Sequence, residues 1–458
     1  MADMSKVSAY LSIIAIILSI VAIAYAAMID SKIAGIKSDL NTIKTEIENI
    51  KSMPPQTTTI VQTQTQTVTE TTTTTAAEQI TLRVIGPWSG ASAEYFTAVI
   101  NNYTKMHPNV KIEYIARRAE DLAKTVPLQF AAGETPADVI ITPWAWWIVE
   151  MAKKGYVVDI SDLINPDEYI GGIVDKVTYE NKIYGAPFTM WLKPGFWYRK
   201  SFFQAHGLTE PKTWDEFLQL LDKIKGIEGI KNPIVTGDGV GWPESDITEH
   251  FLITFGGPEL QYKLINCEVK FNDPQVKEIF HNYLVPLIKE GYFSEPIEWT
   301  QAADLWWNEQ YALYFMGTWI TGRVPDPNDL DFFPLPGAKG VVGGADYAFI
   351  PKFTDKLEAA KDFVKYIATV GQGYHVAGPA GKIPTWKGIS VDQLWPPMQS
   401  VYKKITEYGM TIVPDLDDTV GGDWQTLFWD QLKLLWADPG KVDQILDTLT
   451  QQHPACKG

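Results

Sequence analysis

An α/β fold built on a parallel sheet is what this sequence predicts, and three observations lead there. From Ile80 onward, short apolar runs alternate with amphipathic stretches, the strand–helix–strand rhythm of a doubly wound sheet. The chain has 458 residues, enough for two or three ordinary domains. Its residues are 45% hydrophobic and 12% aromatic, which supplies material for large cores.

The elements follow in chain order. Residues 7–28, VSAYLSIIAIILSIVAIAYAAM, carry no charge. As helix, about 22 residues reach about 33 Å, the depth of a hydrocarbon core. A single-pass transmembrane anchor within residues 1–28 is expected, which would hold the remainder outside the cell. A signal peptide is the rival, because Ala24-Tyr25-Ala26 has the form of a cleavage site.

Ile29, Ile33, Ile36, Leu40, Ile43, Ile47 and Ile50 then alternate spacings of four and three, the seam of a coiled coil over 29–52 that Pro54-Pro55 ends. Run backward, the same phase meets Ser5, Ser8, Ser12, Ala15, Ser19, Ala22 and Ala26, small residues that let helices approach in lipid. A homo-oligomer through residues 5–52 is the expectation. Residues 53–78 are rich in Thr and low in complexity, and read as an extended stalk.

In the globular part ITLRVIG, VKIEYI and ADVIIT read as strands. SAEYFTAVINNYTKMH, AEDLAKTVPLQFAAG and AWWIVEMAKKG read as the helices between and after them. Ligands of such sheets sit off the carboxyl ends of the strands. The segments there are GPWSGAS, ARRAED and TPWAWW, two of which carry Trp.

A formal charge of −16 with no basic patch argues against nucleic acid. Arg83, Arg117, Arg118, Arg199 and Arg323 are all the arginines, so a neutral ligand fits better than phosphate or carboxylate, unless Arg117 and Arg118, which follow the second strand, face the site and admit an acidic sugar. The six histidines show no ligand spacing, and GVVGG lacks a nucleotide-binding pattern, so neither metal nor cofactor is expected. Cys267 and Cys456 are the two cysteines, and their spacing does not say whether they pair.

The runs FAAGETPADVI, GYVVDISDLI and NKIYGAPFTMWLKPGFWYRKSFFQAHGLTEPKTWDEF, followed by LYFMGTWITG and LPGAKGVVGGADYAFIPKFTDKLEAAKDFVKYIATVGQG, resemble the extracellular solute-binding proteins of ABC importers. The likeness is greatest to the carbohydrate-binding group that includes maltose-binding protein, and it covers the chain from about Ile80 onward. It implies a two-lobed periplasmic-binding-protein-type fold with a hinge, lobe 1 over 79–187 and 342–384, lobe 2 over 188–341 and 385–458. It implies a sugar ligand, permease subunits as partners, and no catalysis.

A neutral sugar presents apolar C–H faces that pack on aromatic rings and hydroxyls that want polar partners. Segments of that make-up are PWS (Trp88, Ser89), PWAWW (Trp144, Trp146), TMWLK (Trp191), GDGVGWPE (Asp238, Trp242, Glu244), MGTW (Trp319), GGADY (Asp346, Tyr347) and GGDWQ (Asp423, Trp424). Tryptophans in loops after Gly or Pro are expected to stay accessible. Trp147, Trp214, Trp429 and Trp436 are expected in packing instead. By resemblance, Trp319 and Trp144 fall where the family stacks sugars, and Trp424 lies near another such position. Asp238, between two glycines, allows close approach of backbone and carboxylate.

The reading is an extracellular binder of a neutral mono- or disaccharide that closes around it and delivers it to an ABC importer. A glycoside hydrolase, with Asp238 and Asp346 as its carboxylate pair, and a cell-surface adhesion protein are the alternatives.

Overall fold

The computed structural model describes residues 79–237 and 239–457. The anchor, coiled coil and stalk read from the sequence lie outside those residues, as does Asp238. Among the described residues, no helix is long and apolar enough to cross a membrane.

The first half follows the alternation. Strand β1 (Ile80–Gly86) leads to helix α1 (Ala91–Met106), β2 (Val110–Ala116) to α2 (Ala119–Ala131), and β3 (Val139–Thr142) to α3 (Ala145–Lys153). Leu82 and Val84 point into the core from alternate positions of β1, while β3 is buried along its whole length. These strands are parallel, with Ile80 opposite Val110 and Val84 opposite Val139.

Strand β4 (Ala186–Lys193) joins the same sheet, and after Pro194 the chain enters a second one as β5 (Gly195–Arg199). There follow β6 (Ile234–Val235), α4 (Trp242–Gly256), α5 (Trp299–Trp307), β7 (Leu313–Met316) and β8 (Leu330–Phe333). The chain returns to the first sheet with β9 (Gly340–Phe349), β10 (Ile383–Pro384) and β11 (Thr411–Pro414), and ends in helices that include α6 (Gly422–Ala437). The first sheet runs β10-β4-β9-β3-β1-β2, with β11 also on β9; the second runs β8-β5-β7-β6.

The first sheet is mixed, where the sequence predicts a parallel one. β9 arrives from the second lobe at the end where β1 and β3 finish, and so runs antiparallel to both β3 and β4. The two sheets share one continuous buried cluster. Ile140, Ile141 and Phe349 lie in the first, and Phe196, Phe315 and Phe333 in the second, all at 1% exposure or less. Each such side chain contributes about 1.5–3 kcal/mol of burial. Cys267 and Cys456 form a disulfide across 189 residues of sequence.

Candidate functional site

The two sheets turn their carboxyl ends toward common ground. β1, β2 and β3 release Trp88, Arg118 and Trp144, and the end of β4 carries Trp191 and Lys193. From the second sheet, β6 leads to Trp242 at the start of α4, and β7 leads to Trp319 in the 3-10 turn Thr318–Gly322.

Rings join these segments. Trp191 meets Trp319 edge to face at 5.3 Å, Trp319 meets Trp242 at 5.7 Å, and Trp242 meets Trp299 at 5.8 Å. Trp191 lies flat over Gly344 of the neighbouring strand, where a Cβ would come within 2.4 Å of the indole. Trp144 caps the start of α3 and packs on Trp146 and on Trp429 of α6. Trp147 turns the other way, onto Phe349.

Beside the rings stands a buried ion pair, Lys382 Nζ to Asp346 Oδ2 at 2.6 Å. The ammonium lies 5.9 Å from the centre of the Trp88 ring. Gly381 takes φ +68°, and a Cβ there would stand 1.9 Å from the Thr318 carbonyl oxygen, so this strand lead presses directly on the Trp319 turn. Thr321 Oγ1 donates to Pro379 O at 2.8 Å in the same contact.

Beneath Trp191 lies a charge network. Lys193 Nζ, 4.9 Å from that ring, binds both Asp246 and Asp415. Burial opposes the ammonium charge, but Asp246, Asp415, Glu249 and Asp417 outweigh it and hold Lys193 well above the ordinary lysine range. One ammonium cannot balance that many carboxylates. Burial and Asp415 push Glu249 and Asp417 up, Asp417 to about 6, and burial raises Asp246 and Asp418 as well. Ser245 Oγ reaches Glu249 Oε1 at 3.1 Å and also Asp417 Oδ1. A hydroxyl donates one hydrogen, so the second contact calls for a carboxyl proton.

Other sequence candidates are placed elsewhere. Trp424 stacks on Phe428, and its indole N–H donates to Leu449 O, so it fills core under α6. Tyr347 is buried and donates to Ile173 O, and Glu244 is fully buried within α4. Ser89 and Asp423 lie on exposed backbone. Trp88 and Trp144 are only 7% exposed, contrary to the expectation that their turns leave them accessible, because Phe96 and Trp429 cover them, and Trp191, inside β4, is 5% exposed against Trp319.

Lys193, Lys382 and Trp299 were not singled out from the sequence. TMWLK and GKIP held the lysines in plain sight, yet nothing local marks a lysine as buried. A hollow of about 880 Å³ lies apart from all of these, against Trp197 and the 396–407 helix. Its Lys404 is already bound by Glu210, Asp331 and Phe332 O.

Two α/β sheets whose carboxyl ends meet through tryptophan rings and a buried ion pair define the class of two-lobed solute-binding proteins. The family model described as bacterial extracellular solute-binding protein matches residues 88–374, and the chain belongs to that family. An ABC transporter extracellular-binding protein of Pyrococcus horikoshii is 57% identical over 377 residues, spanning 82% of this chain and 89% of the relative. Among solved structures, a bacterial solute receptor with a preference for β-D-galactopyranose has TM-score 0.71 at 17% identity, over 82% of this chain and 98% of its own. A maltose-bound protein of T. maritima has TM-score 0.65 at 19% identity, over 81% of this chain and 98% of its own. At those identities the two structures establish the fold.

Proposed function

We propose that the protein binds a neutral mono- or disaccharide outside the cell and delivers it to the permease of an ABC importer by closing its lobes around the sugar. The observation that carries this reading is the run of rings Trp191–Trp319–Trp242 beside the Lys382–Asp346 pair. Flat indoles suit the C–H faces of a pyranose, and the ion pair offers both a donor and an acceptor to its hydroxyls. Trp144, Trp146 and Trp88 would complete the walls. The galactopyranose receptor and the maltose-bound protein support a sugar of this size. Residues 7–28 would tether the domain to the membrane, and the heptads over 29–50 would gather several copies near the importer.

The test is a thermal-shift screen with D-galactose, maltose and trehalose, beside glucuronate and a short peptide. A ligand that binds only the folded state raises the melting temperature. A neutral sugar should do so, with a change in tryptophan fluorescence and a smaller radius of gyration. A shift with glucuronate or peptide alone would overturn the reading.

A further inference from the structure

We propose that Arg118 is a latch across the mouth of the cleft, its ion pair with Glu298 setting how long the loaded, closed state lasts. The inference rests on the reading of the protein as a hinged saccharide binder.

Sheet order supplies the leverage. Arg118 follows β2, the edge strand at the opposite end of the first sheet from β10 and β4. β4 continues through Pro194 into the second lobe, so a rotation about that crossing moves the β2 edge farthest. Glu298 stands on the other lobe, just before α5. Arg118 Nη2 reaches Glu298 Oε1 at 3.7 Å, which joins the outer loops of the two lobes.

Glu298 is held ready for this contact. Its other oxygen accepts from the backbone N–H of Thr300 at 2.8 Å and of Gln301 at 3.1 Å, capping α5. The same turn is pinned from below, where the Tyr314 hydroxyl donates to Trp299 O at 3.0 Å. Loop 239–241 packs against it, since a Cβ at Gly239 would lie 2.9 Å from Glu298 Cα. Arg118 has a second acid on its own lobe, Glu120, with Oε2 3.8 Å from Nε. When the lobes part, the guanidinium keeps that partner and gives up only Glu298.

Both side chains are partly open to water, 43% and 36% exposed, so the pair is modest in strength and sensitive to salt. The test compares wild type with Arg118→Gln, Glu298→Gln and the double variant. Glutamine at 298 keeps an oxygen for the α5 cap. Stopped-flow tryptophan fluorescence would follow dissociation of maltose or D-galactose, whichever gives the larger thermal shift, at low and high salt. Each single variant should speed dissociation about two- to five-fold at low salt, the range of an exposed pair. The double variant should be no faster than either single one, and high salt should erase the differences. The melting temperature of the unliganded protein should stay unchanged, as loss of a merely structural contact would not allow.

Unaltered dissociation in Arg118→Gln, or additive effects in the double variant, would overturn the latch. Should neither sugar bind wild type, the saccharide reading fails by itself. The latch is then read from scattering of the unliganded protein at low salt. Arg118→Gln should have the larger radius of gyration, and equal radii would overturn it.

Discussion

The indole of Trp191 meets that of Trp319 edge to face, ring centroids 5.3 Å apart and planes at 89°. One ring hangs from the end of β4, the other from the turn after β7, so the contact joins the two sheets at the candidate sugar platform. Trp319→Ala should weaken binding of the best neutral sugar by about 1–3 kcal/mol, as for a well-packed aromatic contact. Titration calorimetry against wild type measures it, and an unchanged affinity would remove Trp319 from the site.

The Lys382–Asp346 pair is almost wholly buried, at 5% and 4% side-chain exposure. Asp346→Ala strands the ammonium among apolar rings and should cost about 3–5 kcal/mol of folding stability. Asp346→Leu combined with Lys382→Met removes both charges and should cost clearly less. Denaturant unfolding of the three proteins decides the matter, and equal losses would contradict the pairing.

Asp417 is buried, and its Oδ2 accepts from Trp429 Nε1 at 2.7 Å. Burial and Asp415 raise its carboxyl from 3.8 to about 6. A folded-state pKa above the unfolded one means that this group's stabilising share is full below about pH 4. That share is lost as pH rises through about 6. Asp417→Asn does not titrate. Its melting temperature should therefore gain on that of wild type as pH rises from about 4 to 7. A gap that stays constant with pH would refute the assignment.

Gly381 combines φ +68° with contact on Thr318 O, whereas Gly409, at φ +66°, has nothing within 4 Å of its would-be Cβ. Alanine at 409 meets only backbone strain, about 1 kcal/mol. Alanine at 381 must also push the Trp319 turn away, and should lower the melting temperature considerably more. Equal losses at the two positions would show that the close approach carries no weight.

What the sequence reveals is what local periodicity can encode. ITLRVIG is β1 residue for residue, and the predicted starts of the next two strands lie within two residues of β2 and β3. The antiparallel entry of β9 is a matter of long-range routing, and no local pattern carries it. Trp424 shows a subtler limit. Gly421-Gly422-Asp423 reads as a loop, yet Gly422 begins α6, which turns Trp424 into the core. Lys193 is beyond local reading altogether, because Asp246 lies 53 residues away and Asp415 lies 222 away. Charge at such a position is intelligible only once the fold has gathered it.

Cys267 and Cys456 tie the tail of the chain back to its middle. Between them runs the bend at 387–393, exposed except for Ile389, before the helix Pro396–Glu407. A protease that cuts that bend would divide the backbone without dividing the molecule. In denaturant, the two fragments would still migrate as one species until a reductant was added. Outside the cell, where such bonds persist, a nick at this place would leave the tail tethered rather than lost.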